Sequence, residues 1–393
     1  MIVEHVSLID FRNYAVADVA LAPGPNLFVG RNGQGKTNLA EAIAYVATLG
    51  SHRVSGDQPL VRAGADAAIL RVRVAYGERR IQLEAQLNRQ GANRARVNGA
   101  DVRPSELPRY AQVVIFAPED LGIVRGDPSS RRRFADQLLV QRSPRMAAVI
   151  ADYERVLKQR GALLKSARAR GIRGEALSTL DVWDDKLVTL GSALIDARES
   201  LASELARPLA EAYAAIAGDD HQPSALWNLS IRGADPEDGI DGTGESIEGA
   251  TAELFRRALA ARRTAELERG MNLVGPHRDD LLLQIRGLPV KGYASHGESW
   301  SVALALRLAS AELLRAESRA GDPVLILDDV FAELDTERRD RLSHLTSGYE
   351  QVIVTAAVEG DVPDSLRSRT VRIEAGRIIH DERSSAPSAD VHA

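Results

Sequence analysis

The chain has 393 residues, 44% hydrophobic and 27% charged, and carries a formal net charge of −5. That is the make-up of an ordinary soluble protein with room for roughly two or three domains. An acidic balance means that any contact with nucleic acid has to come from local basic patches. Cysteine is absent, which excludes disulfides and cysteine-ligated zinc. The N-terminal residues Met1 to Val6 show neither the basic nor the long apolar region of a signal peptide. No apolar run approaches the ~20 residues of a membrane span. A cytoplasmic protein without a membrane contact is expected.

In chain order, Ile2 to Ile9 alternates with a period near two and predicts a strand. Val16 to Leu21 predicts its partner, across a turn at Phe11-Arg12-Asn13-Tyr14. Leu27-Phe28-Val29 reads as a short strand, and a helix is expected from Asn38 to about Leu49. The runs 69–74 and 81–87, with Gly77 between them, predict a hairpin. Arg94 to Val97 ends in Asn98-Gly99, a strong turn signal. Val113 to Phe116 has the character of a buried parallel strand.

From Pro118 the text turns helical, with long helices predicted over 130–172 and 177–217 and a break at Gly171 to Gly174. Residues 221–248, rich in Gly, Asp and Pro, predict a loop region, followed by a helix from about Glu248 to Arg269. Strand-like text returns at Leu281 to Ile285. A helix is expected over Ser299 to Arg315, a strand at Val324 to Leu327, a helix at Glu337 to Leu345, and last strands at Val352 to Thr355 and Val371 to Ile373. The polar tail from Asp381 predicts disorder.

The chemistry lies in two places far apart in the chain. Gly30-Arg31-Asn32-Gly33-Gln34-Gly35-Lys36-Thr37 satisfies G-x-x-x-x-G-K-[ST], between a predicted strand and a predicted helix. Glycines let backbone N–H groups turn onto phosphate oxygens, and the helix N-terminus adds its positive end. Lys36 is expected on the β- and γ-phosphates and Thr37 on Mg²⁺. Val324-Leu325-Ile326-Leu327-Asp328-Asp329 is an apolar strand ending in carboxylates. Asp328 is the expected metal-side residue and Asp329 the residue that orients or deprotonates the attacking water. Taken alone, the same text also describes a buried strand followed by a helix N-cap.

Glu333-Leu334-Asp335 resembles the D-loop of ATP-binding-cassette (ABC) ATPases, and Ala294-Ser295-His296-Gly297-Glu298 resembles their L-S-G-G-Q signature. Ser295, Gly297 and the helix start form an anion site by their N–H groups. By itself the segment equally describes an N-cap turn. In cassette ATPases this site binds the γ-phosphate held by the other subunit, so ATP joins two heads and hydrolysis releases them.

Together these residues resemble the RecF family, bacterial DNA replication and repair members of the branch of ABC ATPases that includes Rad50 and SMC. The resemblance extends to Leu8-Ile9-Asp10-Phe11-Arg12-Asn13-Tyr14, to Pro118-Glu119-Asp120-Leu121 with Arg131 to Asp136, and to Gly275-Pro276-His277-Arg278-Asp279-Asp280-Leu281. It implies an α/β fold: an ABC-type P-loop ATPase head with a mainly helical inserted lobe. The head is expected at 1–116 and 273–380, the lobe at 117–272 and a disordered tail at 381–393. Helices of ~40 residues, roughly 60 Å, fit that insertion; the far longer coiled coils of Rad50 and SMC do not, and there is no cysteine hook.

The resemblance further implies ATP and Mg²⁺ as cofactors, with Arg12 near the nucleotide and Thr37 and Asp328 on the metal. It implies a weak ATPase used as a switch, an ATP-dependent homodimer, DNA bound at single-strand/double-strand junctions and gaps, SOS-linked repair, and RecO- and RecR-like mediators that help load the RecA recombinase. The family's Asp-Asp ending is present at Asp328-Asp329, where most cassettes have Asp-Glu. Val354-Thr355-Ala356-Ala357 stands where a γ-phosphate histidine is expected, and Gln112 fits a Q-loop poorly. The missing histidine, with the short Asp329, points to slow hydrolysis.

DNA contact has two candidate stretches: Arg131-Arg132-Arg133, and the set Lys158, Arg160, Lys165, Arg168, Arg170 and Arg173. Phosphate neutralisation needs such groups, although a basic helix face is also simply a solvated one. His277-Arg278 reads as fold-holding more than as an interface. Two other functions remain open: the nucleotide-binding subunit of a transporter, and a monomeric P-loop kinase or GTPase. The first calls for a γ-phosphate histidine and a clear Q-loop; the second has no use for a signature motif and D-loop.

Overall fold

The structure, a computed structural model, describes residues 1–171, 178–219, 221–233, 250–318 and 321–381. In chain order the strands and helices are β1 (Ile2–Phe11), β2 (Tyr14–Ala20), β3 (Gly24–Val29), α1 (Lys36–Thr48), β4 (Ala67–Tyr76), β5 (Arg79–Asn88), β6 (Arg94–Val97), β7 (Ala100–Val102) and β8 (Val113–Phe116). There follow α2 (Leu121–Arg125), α3 (Pro128–Arg142), α4 (Arg145–Arg170), α5 (Ser178–Ala217), β9 (Ser224–Asn228), α6 (Thr251–Arg269), β10 (Asp280–Ile285), β11 (Leu288–Pro289) and the single turn α7 (Val290–Tyr293). The chain ends with α8 (His296–Glu317), β12 (Val324–Asp328), α9 (Thr336–Thr346), β13 (Gln351–Ala356), β14 (Thr370–Glu374) and β15 (Arg377–Asp381).

Two units emerge. The first takes the described residues of 1–120, 212–219 and 303–393, the second those of 121–211 and 220–302. In the first, β2-β1-β4-β5-β6-β7 form an antiparallel sheet, and β15-β14-β3-β13-β12-β8 form a second sheet in which every pairing but β15–β14 is parallel. The strands differ as their surroundings demand. β5 alternates buried and open residues, because one face of an antiparallel sheet meets the core. β12 and β13 are buried at every position, because both faces of the parallel sheet are covered. Helix α1 supplies part of that cover: Leu39, Ile43 and Val46 are fully buried in a core shared with Leu8, Leu70, Ile115, Ile326 and Ile353.

The sheet order explains how two distant sequence segments make one head. β3 pairs with β13 in parallel, with Leu27 opposite Val354, and also with β14, with Leu27 opposite Thr370. The strand before the glycine loop is therefore closed on both sides by the last part of the chain.

The second unit is mainly helical, with a three-stranded sheet β11-β10-β9. Three expectations need correction. The helix expected over 130–172 is two helices divided at Ser143-Pro144, since proline lacks an N–H and crowds the preceding turn. The loop expected over 221–248 contains β9, whose Ala225 and Trp227 are buried and whose partner is β10. Its neighbours in Gly, Asp and Pro hide a five-residue strand; residues 234–249 lie outside the described residues. Residues 273–302, expected within the head, group with the lobe for the same reason, as β10 needs β9. β15 extends the expected last strands. Asp381, expected to open a disordered tail, instead closes β15, and the rest of that tail, 382–393, lies outside the described residues. Among the described residues no helix is long and apolar enough to cross a membrane.

Candidate nucleotide site

The glycine loop is built by its neighbours as much as by its own glycines. Gly33 and Gly35 sit at φ 80° and 123°, which side-chain-bearing residues rarely adopt. Gly30 has another reason: a Cβ there would lie 2.2 Å from the carbonyl oxygen of Ile373 on β14. Gln34 ties the loop down, its Oε1 accepting from Ala375 N at 2.6 Å and its carbonyl accepting from Gly376 N at 2.9 Å and from Asn13 Nδ2 at 2.9 Å. Buried Tyr14 donates to the Gly35 carbonyl at 3.0 Å.

Lys36 Nζ donates to the carbonyls of Gly30 at 2.6 Å and Arg31 at 3.2 Å, and lies 3.5 Å from Asn32 Oδ1. Burial pushes the Lys36 ammonium below its ordinary pKa, and the carboxylates of Asp329 and Asp328 oppose that. The loop thus holds a cation folded onto its own carbonyls, free to exchange them for stronger anionic acceptors.

The second half arrives on β12. Asp328 is 2% exposed and its Oδ1 accepts from Thr37 Oγ1 at 2.9 Å and from Thr355 Oγ1 at 2.6 Å. Burial raises its pKa, with the Thr355 bond foremost among the opposing causes. A hydroxyl and a carboxylate paired in this way, all oxygen, suit Mg²⁺, a hard cation, so the donor set fits the ion that the fold implies. Asp329 sits at φ 54°, its N–H bonded to Thr355 Oγ1 at 3.0 Å. Thr355, in the segment expected to carry a histidine, instead buttresses both aspartates. Sequence reasoning missed it, since a lone threonine at a strand end has no motif.

Arg12 was expected near the nucleotide. Its Nε and Nη2 instead bond Glu41 on α1 at 2.8 and 2.7 Å, and Nη1 reaches the Pro59 carbonyl at 3.2 Å. With Glu41 fully buried, these contacts place Arg12 as scaffold for α1. Arg31 and Asn32 are exposed on the loop.

In the second unit Ser295 and Glu298 form a capping box at the start of α8: Ser295 N donates to Glu298 Oε2 at 2.8 Å, and Glu298 N donates to Ser295 Oγ at 3.2 Å. Ser295 and His296 are exposed and Gly297 is half-buried. Trp300 Nε1 donates to His296 Nε2 at 2.9 Å. The Ser295 hydroxyl accepts from Glu298 N and also bonds the Glu298 carboxylate, which lowers that carboxyl's pKa after the larger effect of the Ser295 N–H.

Several basic candidates prove to be fold-holding. Arg131 pairs with Asp280 at 2.6 Å, Arg132 donates to the Asp279 carbonyl at 2.7 Å, and Arg160 is fully buried against Asp184 and Glu266. Arg133, Lys158, Lys165, Arg168 and Arg170 are exposed, with Arg168 bonded to the Arg269 carbonyl at 3.0 Å; Arg173 lies outside the described residues. His277 bonds Tyr153 at 2.8 Å, and burial pushes its pKa down to about 3. Arg278 holds the Asn272 carbonyl. The motif around His277 is thus internal.

A parallel sheet with a phosphate loop after β3 and a carboxylate pair ending β12 is the head of an ABC-type P-loop ATPase. The family described as RecF/RecN/SMC N terminal domain matches residues 2–378. DNA replication and repair protein RecF of Leifsonia xyli subsp. xyli is 60% identical over 382 residues, covering 96% of this chain and 99% of its own length. That of Clavibacter sepedonicus is 57% identical over 99% of this chain and 97% of its own length. Among solved structures, the recombination mediator protein RecF-ATP in the RecFOR pathway matches at TM-score 0.83 and 26% identity, over 97% of this chain and 99% of the other. An SMC head bound to a ScpA domain matches at TM-score 0.52 and 16% identity, over 96% of both chains, which shows the fold alone. The chain belongs to the RecF family of DNA replication and repair proteins, ATP-binding members of the ABC ATPases, and with that assignment the transporter and monomeric kinase readings fall away.

Proposed function

We propose that this chain is an ATP-dependent DNA-binding protein of recombinational repair, a weak ATPase whose nucleotide acts as a switch between open and closed dimers. ATP bound by the loop Gly30 to Thr37, with Thr37 and Asp328 to hold Mg²⁺, meets Ser295 and Gly297 of a second copy. Bound Mg²⁺ neutralises phosphate charge and polarises the γ-phosphoryl group. The closed pair clamps DNA at single-strand/double-strand junctions, acts with RecO- and RecR-like mediators in loading recombinase, and opens on slow hydrolysis. The observation that carries the reading is Ser295: exposed at the start of α8, where an incoming phosphate would compete with the Glu298 carboxylate for its hydroxyl.

The test is analytical sedimentation with ATP, with a non-hydrolysable analogue and without nucleotide. A monomer under all three conditions removes the dimer. Ser295→Arg is expected to leave ATP affinity within about threefold and to abolish ATP-dependent dimerisation, because the side chain fills the anion site with a bulky group. If the variant dimerises normally, the signature assignment is wrong. Binding to gapped, single-stranded and duplex DNA across salt then measures the phosphate contacts through its slope.

Asp329→Asn tests hydrolysis separately. Asparagine tolerates the left-handed backbone at this position, so the change removes charge with little strain. The expected result is turnover lowered by about 100-fold, within the range for a positioned base, with ATP binding and the closed dimer retained. Unchanged single-turnover hydrolysis takes Asp329 out of this role.

A further inference from the structure

We propose that His52 is a positioning residue on the metal side of the ATP site, acting through Asp328 to hold the Mg²⁺-bound form of the nucleotide. The inference rests on the reading of Thr37 and Asp328 as the Mg²⁺ seat. Asp328 uses Oδ1 for Thr37 and Thr355 and turns Oδ2 towards the His52 ring, with Nε2 at 3.9 Å. That separation is too long for a direct hydrogen bond and suits two groups that share an oxygen between them. The His52 side chain is only 9% exposed, and Nε2 is buried without a hydrogen-bond partner. Leaving such an atom unpaired is costly, so a site that retains it has something to offer it. A hydrated Mg²⁺ held by Thr37 and Asp328 would bring such oxygens to this side of the site.

The backbone on both sides of His52 is fixed for that purpose. Leu49 ends α1 at φ 52° and turns the chain back. Ser51 Oγ accepts from Arg53 N at 2.9 Å and Val54 N at 3.1 Å and donates to Glu41. Glu41 is the carboxylate gripped by Arg12. Arg53 in turn donates to Asn38 Oδ1 at 2.9 Å and lies 3.7 Å from Glu119. Arg12, Glu41 and Ser51 therefore form a chain of contacts that ends at the backbone beside His52. This gives Arg12 a bearing on the nucleotide without touching it.

The test compares affinities for a fluorescent ATP analogue with Mg²⁺ and in EDTA, in the full chain. His52→Phe keeps the ring shape and removes the nitrogen. It is expected to weaken binding about tenfold with Mg²⁺, to leave binding in EDTA unchanged, and to raise the Mg²⁺ concentration needed for half-maximal binding about tenfold. His52→Gln, which returns a polar terminus, should recover affinity to within about threefold; His52→Leu replaces Phe should that variant not fold. Wild-type affinity in the Phe or Leu variant, or equal loss with and without Mg²⁺, overturns the proposal. A wild-type protein whose ATP affinity ignores Mg²⁺ overturns the reading of Thr37 and Asp328 instead.

Discussion

Replacing Lys36 with methionine is expected to lower ATP affinity by at least about 100-fold. Lys36 Nζ makes its bonds to the carbonyls of Gly30 and Arg31, at 2.6 and 3.2 Å, and a triphosphate offers stronger acceptors in their place. Each charge-assisted bond contributes about 1.5–3 kcal/mol. Losing two costs about 3–6 kcal/mol, or roughly 100-fold to 10,000-fold in Kd. Burial already works against the ammonium, so methionine, of similar length and without charge, should leave the nucleotide-free protein close to wild type in thermal unfolding. Calorimetric titration with ATP reads the first effect and a melting curve the second. An affinity within about fivefold of wild type removes Lys36 from the phosphate contacts.

Arg160→Met is expected to destabilise the second unit by about 3–5 kcal/mol, the loss typical of leaving one buried charge without its partner. The guanidinium is fully buried and donates to Asp184 at 2.5 Å, Glu266 at 2.6 Å and Asn272 at 2.7 Å. Glu266 is equally buried and also accepts from Leu273 N at 2.8 Å, so it cannot turn to water when Arg160 goes. The figure is a large fraction of a domain's total stability of about 5–15 kcal/mol. Arg160→Met/Glu266→Met removes both charges and should recover most of the loss. Urea unfolding followed by hydrogen exchange at α4 and α6 separates this unit from the rest. A double variant no more stable than the single one shows that the cost comes from packing. Arg160 was a candidate for DNA contact by its place in a basic run; in the structure its charge is spent inside the lobe.

The parts of the head that sequence makes legible are those where a local pattern meets a local need. The glycine loop needs unusual backbone angles at Gly33 and Gly35, so its residue types are narrow. β12 and β13 are buried on both faces and must be apolar throughout. What was not legible depends on partners far along the chain. Arg12 could not be assigned to Glu41, nor Arg131 to Asp280, because an arginine carries no mark of which carboxylate it will meet. β9 was lost because a half-buried five-residue strand pairs only through β10, beyond a long polar stretch. His52 has no motif at all; its meaning comes from Asp328, which stands 276 positions later in the chain, 328 − 52.

The seating of Gly30 against Ile373, and of Gln34 against Ala375 and Gly376, has a consequence for the birth of the protein. The phosphate loop leaves the ribosome well before the strands on either side of β3. Until β13 and β14 emerge, the loop has no walls and its strand no neighbours, so contacts of such long sequence separation must wait for those two strands. A nascent or truncated chain therefore carries no nucleotide. Capture of ATP then reports that both halves of the head have been made and joined.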